Sequence, residues 1–263
     1  MEPFLRWAGS KRKLLPVLSN LVPKTFNRYV EPFAGSACLF FALGTRQAIL
    51  GDINDELMNM YLEVKNNVDG IIQCLSTFKC NEREYYRVRA INPTQVAGVY
   101  RAARFIYLNR FCFNGLYRTN ALGQFNVPYG AFKSGALPTP DDLRACSVIL
   151  RDVVLISGPF ERTLEAVTAG DFVYIDPPYC IRSRRVFNEY SHFSFGDNEL
   201  RLLRSHLARL DQSGISFLVS YGVSREAYDL AKGYHRREVV VQRQIASFAK
   251  KRRKSRELLI TNY

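Results

Sequence analysis

Asp176-Pro177-Pro178-Tyr179 closes an apolar run, FVYI, and the four residue types suit one difficult reaction. An exocyclic amino group on a nucleobase is a poor nucleophile, because its lone pair is delocalised into the ring. A carboxylate accepting one N–H and a backbone carbonyl accepting the other would hold the nitrogen toward tetrahedral geometry. The lone pair is then available for in-line attack on an activated methyl group, so the reaction rests on positioning and electrostatics. Two prolines stiffen the turn and fix the carbonyl direction. Tyr179 can stack on a base that has left its helix. An ordinary strand-terminating turn accounts for the same four residues, and only their surroundings separate the two readings. Cys180 follows Tyr179. With no proline before it and no activating neighbour, it reads as packing rather than as a thiolate nucleophile.

A second constellation lies upstream. EPFAGSA puts Gly35 where a first strand turns into a first helix, and Asp52 ends the next strand, 17 residues later. An acid in that crevice faces a pair of ribose hydroxyls. The sequence G-x-G-x-x-G is absent, which disfavours a dinucleotide, since a pyrophosphate needs several glycines for close backbone approach. S-adenosylmethionine (AdoMet) has a ribose and an adenine but no phosphate, and a one-glycine turn fits it better. The plainer alternative makes Gly35 a simple turn and Asp52 the start of the helix DELMNMY.

The elements that must carry these residues alternate at the two ends of the chain. RYVEPF (28–33), QAILGDI (47–53), VVLIS (153–157), FVYIDPP (172–178) and SFLVSY (216–221) read as short apolar strands, with helices at 36–43 and 198–210. That alternation implies a parallel, doubly wound sheet. RREVVVQRQI (236–245) and RELLITNY (256–263) break it, because so short a connection demands an antiparallel hairpin. Between Asp55 and about Leu150 every apolar pattern is helical, followed by turn chemistry in ALGQFNVPYG that suits a small β-hairpin or loop. The expected organisation is a discontinuous catalytic domain, 1–55 and 151–263, with a mainly helical domain inserted at 56–150.

Composition bounds the class. With 47% hydrophobic and 23% charged residues in 263, the chain can bury a full core, which excludes wholesale disorder. No apolar run approaches the roughly 18–20 residues of a bilayer span, and the first residues lack the apolar region of a signal peptide. A soluble intracellular protein is expected. Six cysteines without a CxxC pair and only three histidines predict no metal site. Thirty-seven Lys and Arg against 24 Asp and Glu leave +13, which fits a polyanionic partner, although basic proteins that bind no nucleic acid exist.

Seven segments, LRWAGSKRKLL, YVEPFAGSACLF, GDIN, YLNRFCFNGLYRTN, GQFNVPYG, FVYIDPPY and RELLITNY, resemble in collinear order the Dam-type (D12 class, alpha-group) DNA adenine-N6 methyltransferases. The resemblance spans essentially the whole chain. It implies a Rossmann-like AdoMet-dependent methyltransferase fold, a mixed sheet closed by a C-terminal β-hairpin, and an inserted helical DNA-recognition domain. It implies methyl transfer from AdoMet, leaving S-adenosylhomocysteine, to N6 of a flipped-out adenine in double-stranded DNA, within GATC or a related short site. Trp7, Lys11, Asp52 and Asp176 would contact AdoMet, Phe33 and Gly35 would line its pocket, and Phe160 would pack near its adenine.

The same resemblance makes YLNRFCFNGLYRTN a finger in the duplex. Phe113 would be the wedge, with Asn114, Leu116 and Arg118 near base edges and phosphates, and Arg6, Arg110 and Asn126 beside them. An apolar ring can fill the stack left by a flipped base, and an arginine can bond guanine bidentately. Core aromatics and solvated arginines are the blander account of the same residues. Family members reading GATC commonly have Lys at the position of Arg6 and Tyr at that of Phe113, which leaves the outer base preference open. Lys250 and Arg252, in the basic run 250–254, and Arg182, Arg184 and Arg185 after the DPPY motif could clamp phosphates. A nuclear-targeting or merely solvated run is the alternative for the first of these.

RNA or a protein amide as substrate, and a non-catalytic DNA-binding scaffold, are the competing functions. Asp176 in place of Asn opposes a protein-glutamine substrate, and intact Asp52, Asp176 and Tyr179 oppose lost catalysis. A monomer in the cytoplasm of a bacterial, plasmid or phage host is the expected state, with a cognate restriction endonuclease acting independently.

Overall fold

The computed structural model describes residues 3–179, 195–242 and 254–263. Seven short apolar segments form one sheet: β1 (Tyr29–Glu31), β2 (Ala48–Asp52), β3 (Val154–Ser157), β4 (Phe172–Ile175), β5 (Ser216–Gly222), β6 (His235–Gln242) and β7 (Lys254–Thr261). Their order is β3-β2-β1-β4-β5-β7-β6. From β3 to β5 the neighbours are parallel, whereas β7 is antiparallel to both β5 and β6. The last described strand therefore enters between two earlier ones. The expected strand FVYIDPP ends at Ile175, because Asp176 and the two prolines leave the ladder, and prolines cannot donate to it.

Each strand alternates between two cores. Tyr29, Leu50, Phe172, Tyr174, Leu218 and Leu259 face one buried cluster. Val30, Ile49, Val173, Ile175, Phe217, Val219, Leu258 and Ile260 face the other. Burial on both sides is what a doubly wound sheet requires, and it explains why these strands read as continuous apolar runs. The second face is covered by α8 (Phe160–Glu165), α9 (Asp197–Gln212) and α10 (Arg225–Leu230).

The first face carries α1 (Leu15–Leu21) and α2 (Cys38–Leu43), together with the helices of the central region. These are α3 (Asp55–Asn66), α4 (Val68–Thr77), α5 (Glu82–Ala90), α6 (Gly98–Phe111) and α7 (Pro140–Leu150). Asn54 caps α3, its Oδ1 accepting from the N–H groups of Glu56 and Leu57, and Asp55 and Glu56 sit in the first turn, where the helix dipole favours acids. Helix α6 is buried from Ala102 to Asn109, at the centre of this bundle. Even its Arg104 is only 4% exposed and donates to the carbonyls of Val88 and Arg89, at the carboxyl end of α5. Helices α1, α7, α8 and α10 have no counterpart in the sequence expectations. Thr139 and Asp142 do form a reciprocal capping box at the start of α7 that the T-x-x-D spacing announces.

No helix among the described residues is long and apolar enough to cross a membrane.

Candidate active site

The carboxyl ends of β4 and β5 meet the N-terminal segment in a buried polar cluster. Asp176 follows β4, and its Oδ1 lies 2.8 Å from Lys11 Nζ and accepts from the Ser220 hydroxyl of β5 at 3.1 Å. Ser220 in turn lies 3.0 Å from the hydroxyl of Tyr174. Lys11 is 7% exposed and also lies 3.8 Å from Glu257 Oε2 on β7. Tyr179 donates its hydroxyl to Glu257 Oε1 at 2.7 Å. One ammonium thus bridges two carboxylates, a buried arrangement that persists only where the charges are close and bonded.

Burial alone would lower the pKa of Lys11, but Asp176, Tyr179 and Glu257 outweigh it and hold the ammonium above the ordinary lysine range. Burial raises Asp176, and Lys11 opposes that shift. Burial also pushes the Tyr179 phenol up to about 12. At neutral pH the phenol is therefore a hydrogen-bond donor. Glu31 at the end of β1 is 3% exposed, accepts from the hydroxyl of Tyr29 at 2.9 Å, and is raised well above the carboxylate range by burial.

The neighbouring crevice lies between β1 and β2. Asp52 accepts from the N–H of Gly35 through Oδ2 at 2.9 Å and from that of Asn54 through Oδ1 at 3.0 Å. The backbone of Ile53 also bonds this carboxylate, so three N–H groups favour its charged form against burial. Gly35 has φ +46°, and a Cβ there would come within 2.8 Å of the Trp7 indole nitrogen, so the turn needs glycine for conformation and for space. The Trp7 ring in turn stacks on Tyr117 (5.9 Å, 24°) and Phe105 (6.3 Å, 29°). Phe33 and Phe160 stack at 5.1 Å, and Phe195 meets Phe33 edge-on at 5.8 Å. These aromatics form an apolar wall at the start of α8, on the opposite side of the sheet from Trp7.

The finger is built by backbone contacts. After α6 the chain turns through Asn114 (φ +56°) and Gly115 (φ +64°), where a Cβ on Gly115 would come within 2.5 Å of Arg6 Cβ. Arg6 exchanges hydrogen bonds with Asn109 and donates from its guanidinium to the Arg110 carbonyl. Arg110 donates to the carbonyls of Phe4 and Ala136. Its guanidinium is committed to holding the loop, which the sequence reading did not anticipate. Phe113 and Leu116 are half-buried, and Asn114 is exposed. The expected small hairpin is reduced to single bridges, Thr119 with Phe125 and Cys112 with Tyr129. Across it Arg118 donates from Nε to Asn126 Oδ1 at 2.7 Å.

The structure thus brings Lys11, Asp176 and Tyr179 together, puts Asp52, Gly35 and Trp7 at one turn, and gathers Arg6, Arg110, Asn114, Arg118 and Asn126 along the loop after α6. Cys180, Arg182, Arg184, Arg185, Lys250 and Arg252 lie outside the described residues. Sequence reasoning missed Glu31, Phe195, Ser220 and Glu257. Glu31 and Glu257 each carried a signal, as an acid set directly against apolar strand residues.

Residues 7–245 match the family model of the D12 class N6 adenine-specific DNA methyltransferases. The type II methyltransferase M1.LlaDCHI of Lactococcus lactis subsp. cremoris is 35% identical over 272 residues, covering 100% of this chain and 96% of that protein. M.MjaIII of Methanocaldococcus jannaschii is 36% identical over 287 residues, covering 100% and 99%. The DNA adenine methylase of Haemophilus influenzae is 34% identical over 266 residues, covering 98% and 92%. A seven-stranded mixed sheet covered on both faces fits a methyltransferase fold. The chain therefore belongs to the D12 class of N6 adenine-specific DNA methyltransferases, enzymes that methylate adenine N6 in DNA.

Proposed function

We propose that this enzyme moves a methyl group from AdoMet to N6 of an adenine turned out of duplex DNA, at one short site. Asp176 and Tyr179 hold the base, and the loop after α6 reads the duplex. The observation that carries this reading is the state of Asp176. Its Oδ1 is engaged by Lys11 and Ser220, none of the described residues bonds Oδ2, and the side chain is still 20% exposed. One carboxylate oxygen is therefore available to an amino N–H, while the buried ammonium beside the other favours the charged form against the upward pull of burial. A carbonyl of the Pro177-Pro178 turn takes the second N–H. Asp176, raised by burial, also suits the task of accepting the proton that the amine loses. Tyr179, with its hydroxyl bonded away, presents its ring for stacking.

When bound, AdoMet supplies a methyl group made electrophilic by a positively charged sulfur. The residues present fit it: Asp52 is an acceptor-only group at the crevice for ribose hydroxyls, Phe33 and Phe160 offer aromatic faces for adenine, and Gly35 lets the turn pass close under Trp7. The structural support for Lys11 is at the catalytic carboxylate, so its part is to keep Asp176 charged. The helical region 56–150 acts as the recognition unit and residues 1–55 with 151–263 as the catalytic one, with β6 and β7 as the closing pair. Of the residues proposed to face DNA, Asn114 is exposed and Phe113, Leu116, Arg118 and Asn126 are half-buried, while Arg6 and Arg110, half-buried as well, also set the loop.

Modification-sensitive long-read sequencing of DNA from a methylation-free bacterial host tests this. Expression of the wild type should place N6-methyladenine in one short motif, and Asp176→Ala should place none. GATC would mark the motif expected from the resemblance. Unmodified adenine with soluble wild-type protein, or a fully active Asp176→Ala variant, would overturn the reading.

A further inference from the structure

We propose that Glu257 of β7 is a positioning residue of the methyl-transfer site. Its carboxylate holds the Tyr179 hydroxyl and thereby sets the plane on which the target base stacks. The inference rests on the reading that Asp176 and Tyr179 serve the reaction.

Glu257 is 3% exposed and precedes Leu258, Leu259 and Ile260, all buried. A carboxylate in such a place is costly unless it is bonded and its charge is balanced. Residues of the site supply both: Tyr179 donates its hydroxyl to Oε1 at 2.7 Å, and the charge faces Lys11, whose Nζ lies 3.8 Å from Oε2 while contacting Asp176 at 2.8 Å. The register of the sheet makes the socket. Glu257 is paired with Gly222 of β5, and a Cβ on Gly222 would stand 3.2 Å from two ring carbons of Tyr179. The ring therefore lies on glycine backbone, with Tyr221 edge-on at 5.4 Å and the Lys11 ammonium 5.5 Å from its centroid. Packing of this kind limits tilt. The bond at the hydroxyl fixes the end of the ring farthest from the backbone, and a stacked base needs that plane to be constant. A carboxylate present only to balance Lys11 would need no bond to Tyr179.

Single-turnover methylation of a duplex carrying the enzyme's own motif decides the matter, with AdoMet and DNA affinities measured separately. Glu257→Leu and Tyr179→Phe should each slow the chemical step about tenfold, with both affinities changed by no more than about twofold. Glu257→Gln, whose amide oxygen still accepts from the phenol, should lose less than Glu257→Leu. The Tyr179→Phe/Glu257→Leu double variant should be no more than about twofold slower than the worse single one, because both remove the same bond. Losses that multiply, or a wild-type rate in Glu257→Leu or Tyr179→Phe, would overturn the proposal. If Glu257→Leu does not fold, Glu257→Gln combined with Tyr179→Phe replaces it, and must match Tyr179→Phe alone. Asp176→Ala separates the two failures. An active Asp176→Ala sinks the reading of the site, whereas an inactive one beside a wild-type-like Glu257→Leu sinks only the role of Glu257.

Discussion

The catalytic rim and the loop after α6 are held by opposite means. At the rim, side chains bond side chains: Asp176 to Lys11 and Ser220, Tyr179 to Glu257. In the loop, apart from Arg118 with Asn126 and Asn120 with Gln124, side chains bond backbone: Arg110 to Phe4 and Ala136, Arg6 to the Arg110 carbonyl, Tyr85 and Arg89 to the Val127 carbonyl. The first arrangement makes chemistry depend on each charge, so single substitutions fall on rate. The second fixes a backbone course from beneath and leaves exposed positions to change what is read without loss of the loop. On the proposed roles, reaction and recognition are separable except at Trp7, which touches the Gly35 turn on one side and Tyr117 on the other.

The largest effect should come from the rim. Asp176→Ala should slow methyl transfer by about 10²–10⁴-fold in single-turnover assays. Gel-shift affinity for DNA should stay near the wild-type value, and a comparable loss of DNA binding would break the separation. Gly35→Ala tests the joint between the regions. Strain at φ +46° and the clash with Trp7 should cost about 1–3 kcal/mol in denaturant unfolding and weaken AdoMet binding in calorimetry. Unchanged values for both would remove the joint. Arg118→Ala should leave the rate on the best site intact but relax preference at one base position, worth about 1–3 kcal/mol of discrimination, read by sequencing methylated sites. An unaltered motif would take Arg118 out of recognition.

The smallest expected effect is a dependence on pH. Glu31 has its folded-state pKa raised, so its favourable contribution is complete below its unfolded value, near 4.5, and is lost as pH rises toward the folded one. Glu31→Gln keeps an acceptor for Tyr29 and cannot ionise. It should melt higher than wild type at pH 8, and the gap should close toward pH 5. A gap independent of pH would remove ionisation of Glu31 from the account.

Local pattern carried much of this molecule. Apolar runs bounded by Gly, Pro and Asp located β1 to β5, and a proline pair after FVYI marked the end of β4, because these signals depend on a few adjacent residues. Strand order does not. Nothing within RELLITNY says that β7 lies between β5 and β6, so the opposition of Glu257 and Gly222 could not be read in advance. The meeting of Lys11 with Asp176 likewise joins distant parts of the chain. Arg110 shows a different limit: nothing in the basic segment around it tells that the carbonyls of Phe4 and Ala136 meet its guanidinium.

The place of β7 also bears on how the enzyme is made. Every other described strand precedes it in the chain, and a nascent chain that ends before residue 254 leaves the edge of β5 unpaired and β6 without the neighbour that joins it to the sheet. Such a chain already holds Asp52, Asp176 and Tyr179, yet it lacks the strand that completes the sheet and brings Glu257 to the rim. The strand that completes the sheet is thus also the one that brings Glu257 to Tyr179 and Lys11.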